Sequence, residues 1–144
     1  MRITFLILIL ISFSNFSNAQ LSKVLHQTFE IDDVDTVSLN LVGEYEIEKW
    51  AGNAILTETT IELYDAKPGI FKYFIKEGRY EIIADVNETS VVLHAKDSER
   101  KSIRTKIGEC YEFIKLKIFV PDDFNADDPL HLVRQPVSEL STNE

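Results

Sequence analysis

Residues 36–63 read TVSLNLVGEYEIEKWAGNAILTETTIEL, and this stretch decides the predicted fold. Apolar and polar side chains alternate in three successive runs, at 36–41, 44–50 and 54–63. Such alternation is typical of strands that bury one face and expose the other. Gly43 separates the first two runs. The stretch therefore predicts three consecutive strands joined by short turns.

The period of the apolar residues changes after residue 65. Pro68 suits the first turn of a helix, where its missing N–H would have no partner anyway, and Gly78 supplies a left-handed stop. Between them, four apolar residues fall on one helical face. They are Ile70, Phe71, Phe74 and Ile75. One short helix is predicted at 68–77, packed on the sheet through this face.

Four further alternating runs follow, at 80–86, 91–95, 103–107 and 114–120. The links between them are short and polar, as expected of hairpins. The predicted fold class is therefore mostly β. We expect an antiparallel sandwich, or a short β-roll or solenoid-like sheet, with one short helix near 68–77.

The N-terminal segment differs from the rest of the chain. Residues 1–19 contain Arg2, an apolar run too short to span a membrane, and Ser17 and Ala19 at the positions that a signal peptidase needs. This pattern predicts a cleaved signal peptide followed by a single β-rich domain over 20–124. The aromatic residues that extend the apolar run leave an uncleaved N-terminal anchor as the alternative.

The C-terminal segment is polar. Residues 125–144 combine Asp, Pro, Ser and Glu with one brief apolar patch, which predicts a mostly flexible tail. The signal peptide predicts an exported protein, located in the periplasm, on the outer surface or outside the cell. After cleavage we expect no stable membrane insertion.

The charge of the chain argues against one class of partner. Its 144 residues include 24 acidic and 15 basic side chains, for a net charge of −9. Binding to nucleic acid requires clustered Lys and Arg opposite the phosphates, so nucleic acid is not an expected partner. A chain of this length can bury a hydrophobic core without disulfides or metals.

The sequence contains no recognisable catalytic motif. His26, His94 and His131 are scattered, without the spacing of metal ligands, and no Gly-rich or nucleophile-elbow pattern occurs. Cys110 is the only cysteine and is predicted to be a small buried side chain. We therefore predict a protein that is not an enzyme, with no cofactor and no metal site, and with an unknown protein or envelope partner.

Clustered charges have ordinary structural explanations. Asp123, Asn125 and Asp127 begin like a calcium loop, but the glycine and the final glutamate of such a loop are missing. Glu44, Glu46 and Glu48 form an acidic stripe on one strand, and four basic residues follow within 100–106. Cross-strand pairing of such stripes would contribute only a few tenths of a kcal/mol per pair.

Aromatic side chains mark the predicted interaction surface. Phe113 and Phe119 lie opposite the apolar set of the strand at 114–120, Tyr111 precedes it, and Trp50 ends the second strand of the opening stretch. Exposed aromatic residues near strand edges favour contacts with another protein. The lack of catalytic motifs and the strand content predict a non-enzymatic exported domain that acts in envelope structure, adhesion or protein interaction, and these aromatic residues are its candidate interaction surface.

A carrier of a small apolar ligand is the alternative function. In that hypothesis the short helix covers a cavity in the β-fold. The residues predicted to line the cavity are Trp50, Phe71 and Phe74.

Residues 37–50, followed by 53–59, resemble a repeating unit of β-rich envelope proteins of Bacteroidota. In that unit an apolar strand, a glycine, a second strand, a polar turn and an I-x-x-E strand recur. The family that it most resembles is the auto-transporter adhesin head (GIN) domain, over residues 28–124. The resemblance implies an exported, adhesin-like role and supplies no catalytic residue.

Overall fold

Eleven strands and one helix make up the computed structural model, which describes residues 20–136. The helix, α1, spans Pro68–Lys76. The strands are β1 (Leu21–Glu30), β2 (Thr36–Asn40), β3 (Tyr45–Trp50), β4 (Ala54–Tyr64), β5 (Ile82–Asn87), β6 (Ser90–Ala95), β7 (Arg104–Thr105), β8 (Gly108–Glu109), β9 (Tyr111–Pro121), β10 (Phe124–Asn125) and β11 (His131–Arg134).

The strands form two principal sheets. The first sheet has the order β1-β4-β9-β3, and the second has the order β10-β11-β2-β6-β5, while β7 and β8 pair with each other. The predicted mostly β, sandwich-like fold with one short helix is therefore confirmed. Two pairs, β2 with β6 and β3 with β9, run parallel, and the other pairs are antiparallel.

The main core lies between the two sheets. Their inward faces supply alternate apolar side chains, as the sequence pattern predicts. Val37 and Leu39 of β2 and Leu93 of β6 meet Ile55 of β4 and Ile118 of β9 in one buried cluster. Since these residues come from both sheets, the cluster holds the sheets face to face.

A second core lies under α1, at the end of the first sheet. Phe71 of the helix packs with Ile61 and Leu63 of β4, and with Ile103 and Cys110. The helix begins at Pro68 without a side-chain cap. Two hydrophobic clusters therefore stabilise the chain, and α1 belongs to the second.

The structure adds a strand that the sequence analysis omitted. β1 pairs antiparallel with β4 along its whole length, from Leu21 opposite Leu63 to Glu30 opposite Ala54. The Gln27 amide on β1 also donates to the carbonyl of Ile82 and accepts the N–H of that residue, both at 2.9 Å. This side chain ties the edge of the first sheet to β5 of the second.

Two other expectations need correction. Residues 103–107 were predicted as one strand, but a tight hairpin of two-residue strands, β7 and β8, occupies this region. The strand predicted at 80–86 starts two residues later than expected, because β5 begins at Ile82. Tyr80 is instead buried in the second core, in the same cluster as Phe71 of α1.

The flexible-tail prediction is wrong for residues 131–134. These residues form β11, which pairs with β2, and Leu132 is fully buried between the sheets. The Arg134 guanidinium donates to the carbonyls of Ile31 and Val34 and to the Asp123 carboxylate. The predicted signal peptide at 1–19 and the last part of the predicted tail, 137–144, lie outside the described residues.

Candidate functional site

Three aromatic side chains meet at one end of the first sheet. Tyr111 and Phe113 of β9 are 66% and 68% exposed. Tyr64 of β4 lies directly opposite Tyr111, and its ring meets that of Phe113 edge-on, with 6.3 Å between centroids. The Tyr64 hydroxyl donates to Glu62 at 2.8 Å, and this bond raises the pKa of Tyr64. We call Tyr64, Tyr111 and Phe113 the aromatic patch.

A groove of about 420 Å³ adjoins the aromatic patch. Tyr64 forms part of its wall, and Ile107 at the tip of the β7–β8 hairpin lies on the same groove with most of its side chain exposed. Asp65, Lys67 and Glu109 supply charges of both signs. We call it the first groove. It extends the apolar surface of the aromatic patch towards the β7–β8 hairpin.

The β9 backbone is open beside the same patch. β3 pairs only with the second half of β9, from Leu116 to Pro121. Within residues 20–136, no strand pairs with 111–115 on the side that β3 would occupy. A strand edge without a partner, next to exposed aromatic rings, is a surface to which another chain can add by strand pairing.

The other two predicted surface residues lie elsewhere. Phe119 is half-buried, between Leu56 of β4 and Glu48 of β3. Trp50 is also half-buried, its indole N–H donates to the carbonyl of Ala54 at 3.0 Å, and its ring lies against Gly52. The structure therefore brings together Tyr111 and Phe113, and it places Trp50 at the last position of β3.

Between these two regions the face carries paired charges. Lys117 contacts Glu48 at 2.6 Å, and Lys115 contacts Glu46 at 3.5 Å. The hydrogen bond with Glu48 raises the pKa of Lys117. The acidic stripe of β3 thus pairs with lysines of β9 and not with the basic residues at 100–106.

A buried arginine is the feature that sequence reasoning missed. Arg79 is 6% exposed, and its guanidinium makes two bonds with the Glu112 carboxylate, at 3.0 and 3.1 Å. It also donates to Asp97 at 3.0 Å and to the carbonyl of Lys101 at 2.8 Å. Its acidic neighbours in the sequence, Glu77 and Glu81, are not among these partners.

The helix end explains why Arg79 points inward. Gly78 adopts a φ of 75°, and the N–H of Arg79 donates to the carbonyl of Phe74. A Cβ on Gly78 would lie 2.4 Å from side-chain atoms of Glu81 and Lys96, so no other residue fits without a shift. The cation directly after a helix-stop glycine was the available sequence signal.

Burial shifts the pKa values around this arginine. Desolvation raises the pKa of Tyr80 and lowers that of Arg100, whose guanidinium lies 6.0 Å from the Tyr80 ring centroid. Desolvation would also lower the pKa of Arg79, but the hydrogen bond and charge of Glu112 outweigh it and raise the value. With its donors directed at protein acceptors, Arg79 acts as a structural cross-link.

A second groove, of about 640 Å³, runs between α1 and β7. It is open to solvent, and Phe74 lines it, whereas Phe71 is buried in the second core and Trp50 lies at the end of β3. The three residues of the carrier hypothesis therefore do not line one cavity. Its lining residues are Gly69, Ile70, Tyr73, Phe74, Ile103, Arg104, Thr105 and Lys106.

The remaining polar candidates have structural partners. His26 contacts Glu58, His94 contacts Asp85 and His131 contacts Ser38, at 3.2, 3.0 and 3.1 Å. In the described part of the chain, no three His, Cys, Asp or Glu side chains are grouped as metal ligands.

The predicted burial of Cys110 is confirmed. Its thiol lies 3.3 Å from the carbonyl of Asp65, and burial raises its pKa. Both features keep the thiol protonated, so it is poorly suited to nucleophilic chemistry.

Comparison of the chain with protein-family models, with curated proteins and with solved structures gave no match. Among residues 20–136, no helix is long and apolar enough to cross a membrane. The function is therefore argued from the aromatic patch, the open half of β9 and the two grooves.

Proposed function

We propose that this chain is an exported, non-catalytic protein-interaction domain that binds its partner through the aromatic patch. The observation that carries the proposal is the exposure of Tyr111 and Phe113 on a stretch of β9 that pairs with β4 on one edge and has no strand on the other edge within residues 20–136. Aromatic residues are enriched where proteins bind one another, because they bury much apolar area with few rotatable bonds. The signal-peptide pattern of residues 1–19 supports export, and the resemblance to adhesin head domains supports an envelope role.

The surroundings favour an extended segment of the partner. Residues 111–115 can offer backbone donors and acceptors to an added strand, while the rings on alternate positions select its side chains. The charges on the neighbouring part of the face already pair with one another, as Lys115 does with Glu46. The binding energy is therefore expected to come mainly from the rings and the backbone.

The proposal can be tested by photo-crosslinking in cells that export the protein. A benzophenone amino acid replaces Phe113 in one variant and Val86 of β5, which is also 68% exposed, in the matched control. We expect a discrete crosslinked species from position 113 only, and its loss when Tyr111→Ser is added. Equal crosslinking at both positions, or none at 113, would contradict the proposal.

Export has a separate test. The mature protein should begin at Gln20, since cleavage is predicted after Ala19. N-terminal sequencing of the protein recovered from the cell envelope and from the medium measures this directly. A retained Met1 on all of the protein would contradict the predicted cleavage.

A further inference from the structure

We propose that the second groove is a separate docking site for an extended, acidic peptide segment of a partner protein. The proposal concerns a different surface from the aromatic patch. It depends on the charge, the shape and the open strand edge of the groove.

The charge of the groove is opposite to that of the whole chain. The protein carries a net charge of −9, yet within residues 20–136 the side chains that line the groove include Arg104 and Lys106 and no carboxylate. Both cations come from β7 and the residue after it, so they lie along one wall. Their charge complements a ligand that presents carboxylates along its length.

The floor of the groove is apolar. Ile70, Tyr73 and Phe74 of α1 face Ile103, and Tyr73 remains largely exposed although its ring packs edge-on against Phe74 at 5.3 Å. A ligand with apolar side chains could therefore bury surface here while its carboxylates reach the opposite wall. Alternating acidic and apolar residues in an extended chain meet both requirements.

The wall formed by β7 offers backbone hydrogen bonds. β7 pairs only with β8, whose residues line the first groove, so in the described structure its other edge borders the second groove. The carbonyl of Ile103 accepts the N–H of Cys110 on the β8 side. Because successive strand residues direct their peptide groups to opposite sides, the N–H and C=O of Arg104 point away from β8. An extended peptide can use these groups, whereas an acyl chain cannot.

One residue allows the groove to be filled without disturbing the fold. Gly69 lies on its lining, and apart from its chain neighbours and the backbone of α1, no atom of residues 20–136 lies within 4 Å of an added Cβ. A side chain at this helical position projects into open space and improves helix propensity. Gly69→Leu should therefore occupy the groove in a folded protein, and Gly69→Ala is the small control.

The test measures binding of a defined probe by fluorescence anisotropy. The probe is a labelled eight-residue peptide of alternating Glu and Val, compared with its Lys and Val counterpart. We expect the acidic peptide to bind at least about tenfold more tightly than the basic one, and more weakly as salt increases. Equal affinity of the two peptides, or no binding of either, would overturn the proposal.

Variants locate the site. Arg104→Glu and Lys106→Glu should each weaken binding several-fold, and Gly69→Leu about tenfold or more, because the apolar floor is then covered. Lys49→Glu, an equal charge change at an exposed position of β3 outside the groove lining, and Gly69→Ala should leave affinity within about twofold. If Lys49→Glu weakens binding as much as Lys106→Glu does, the attraction is non-specific and the groove is not the site.

Two further measurements separate peptide from lipid. Methylation of alternate peptide nitrogens should weaken binding if the β7 edge supplies hydrogen bonds. Vesicles of phosphatidylglycerol serve as the anionic lipid probe, and the wild-type protein should not sediment with them. Sedimentation that Gly69→Leu abolishes, without peptide binding, would replace the peptide by a lipid and overturn the proposal. Crosslinking at position 113 tests the aromatic patch independently of either result.

Discussion

Replacement of Arg79 by methionine should destabilise the protein more than the loss of any exposed ion pair. Arg79 is 6% exposed and Glu112 is 16% exposed, so the variant would leave a carboxylate with little access to water and without its partner. The carbonyl of Lys101 would also lose its donor. Methionine has a similar length, which limits the cavity left behind.

The size of the loss in unfolding free energy depends on how deeply the Glu112 carboxylate remains buried without its partner. Removing one member of a buried ion pair costs about 3–5 kcal/mol, and the partial exposure of Glu112 favours the lower end of this range. Asp97 is 35% exposed, so Asp97→Asn should cost about 1 kcal/mol or less. Adding Glu112→Leu to Arg79→Met should restore part of the lost stability, because no unpaired charge then remains.

Urea unfolding followed by far-UV circular dichroism measures these differences. With a slope of about 2 kcal/mol per molar urea, Arg79→Met should lower the midpoint by about 1.5 M or more. Lys96→Met is the matched control, because it breaks the exposed Lys96–Glu81 pair of 2.8 Å and should cost less than about 1 kcal/mol. A loss from Arg79→Met no larger than that of the control would refute the structural role of the buried pair.

Four further outcomes follow from the described contacts. Phe113→Ser should change the unfolding free energy by no more than about 0.5 kcal/mol, since the ring is exposed, and a larger loss would show that it packs in the fold. Gln27→Leu should cost about 1–3 kcal/mol in urea unfolding, because the peptide group of Ile82 loses both hydrogen bonds, and an unchanged midpoint would contradict this role. Cys110 should react with a thiol reagent much more slowly in the native protein than in urea, because burial shields the thiol and raises its pKa. Equal reaction rates in the two states would contradict the burial of Cys110. Burial raises the pKa of Tyr80 in the folded state above its ordinary value of 10.0, so the contribution of the neutral phenol to stability is present below pH 10 and lost as pH rises further. Tyr80→Phe should therefore reduce the fall in urea midpoint between pH 8 and pH 11. An identical fall in the variant and the wild type would contradict the raised pKa of Tyr80.

The sequence predicted those parts of the fold that depend on local pattern. The strands within 36–63 and the helix after Pro68 were identified because their periods are regular over many residues. β1 was missed because Lys23 and Gln27 interrupt the apolar side of its alternation. Its strand conformation is fixed by pairing with β4, which the local sequence does not reveal.

The same reason explains which parts of the interaction surface were predicted. Tyr111 and Phe113 were identified because they are out of phase with the buried residues of their own strand. Tyr64 joins them only through the register between β4 and β9. Arg79 bonds with Asp97 and Glu112, which lie 18 and 33 residues further along the chain, so its burial required the tertiary structure.

The buried arginine also has a consequence for the second groove. Arg79 follows α1, which supplies most of the floor of the groove, and it bonds with Asp97 and with the carbonyl of Lys101 in the segment that leads to β7. The pairing of Arg79 with Glu112 also fixes α1 and this segment to β9. A groove whose floor and β7 wall are held by one cross-link loses little conformational freedom on binding, which favours affinity. Arg79→Met should therefore weaken binding of the Glu–Val peptide even under conditions where the variant is folded, while Gly69→Leu weakens it without lowering stability. If Arg79→Met binds the peptide as well as the wild type does, the groove is held open by the core alone.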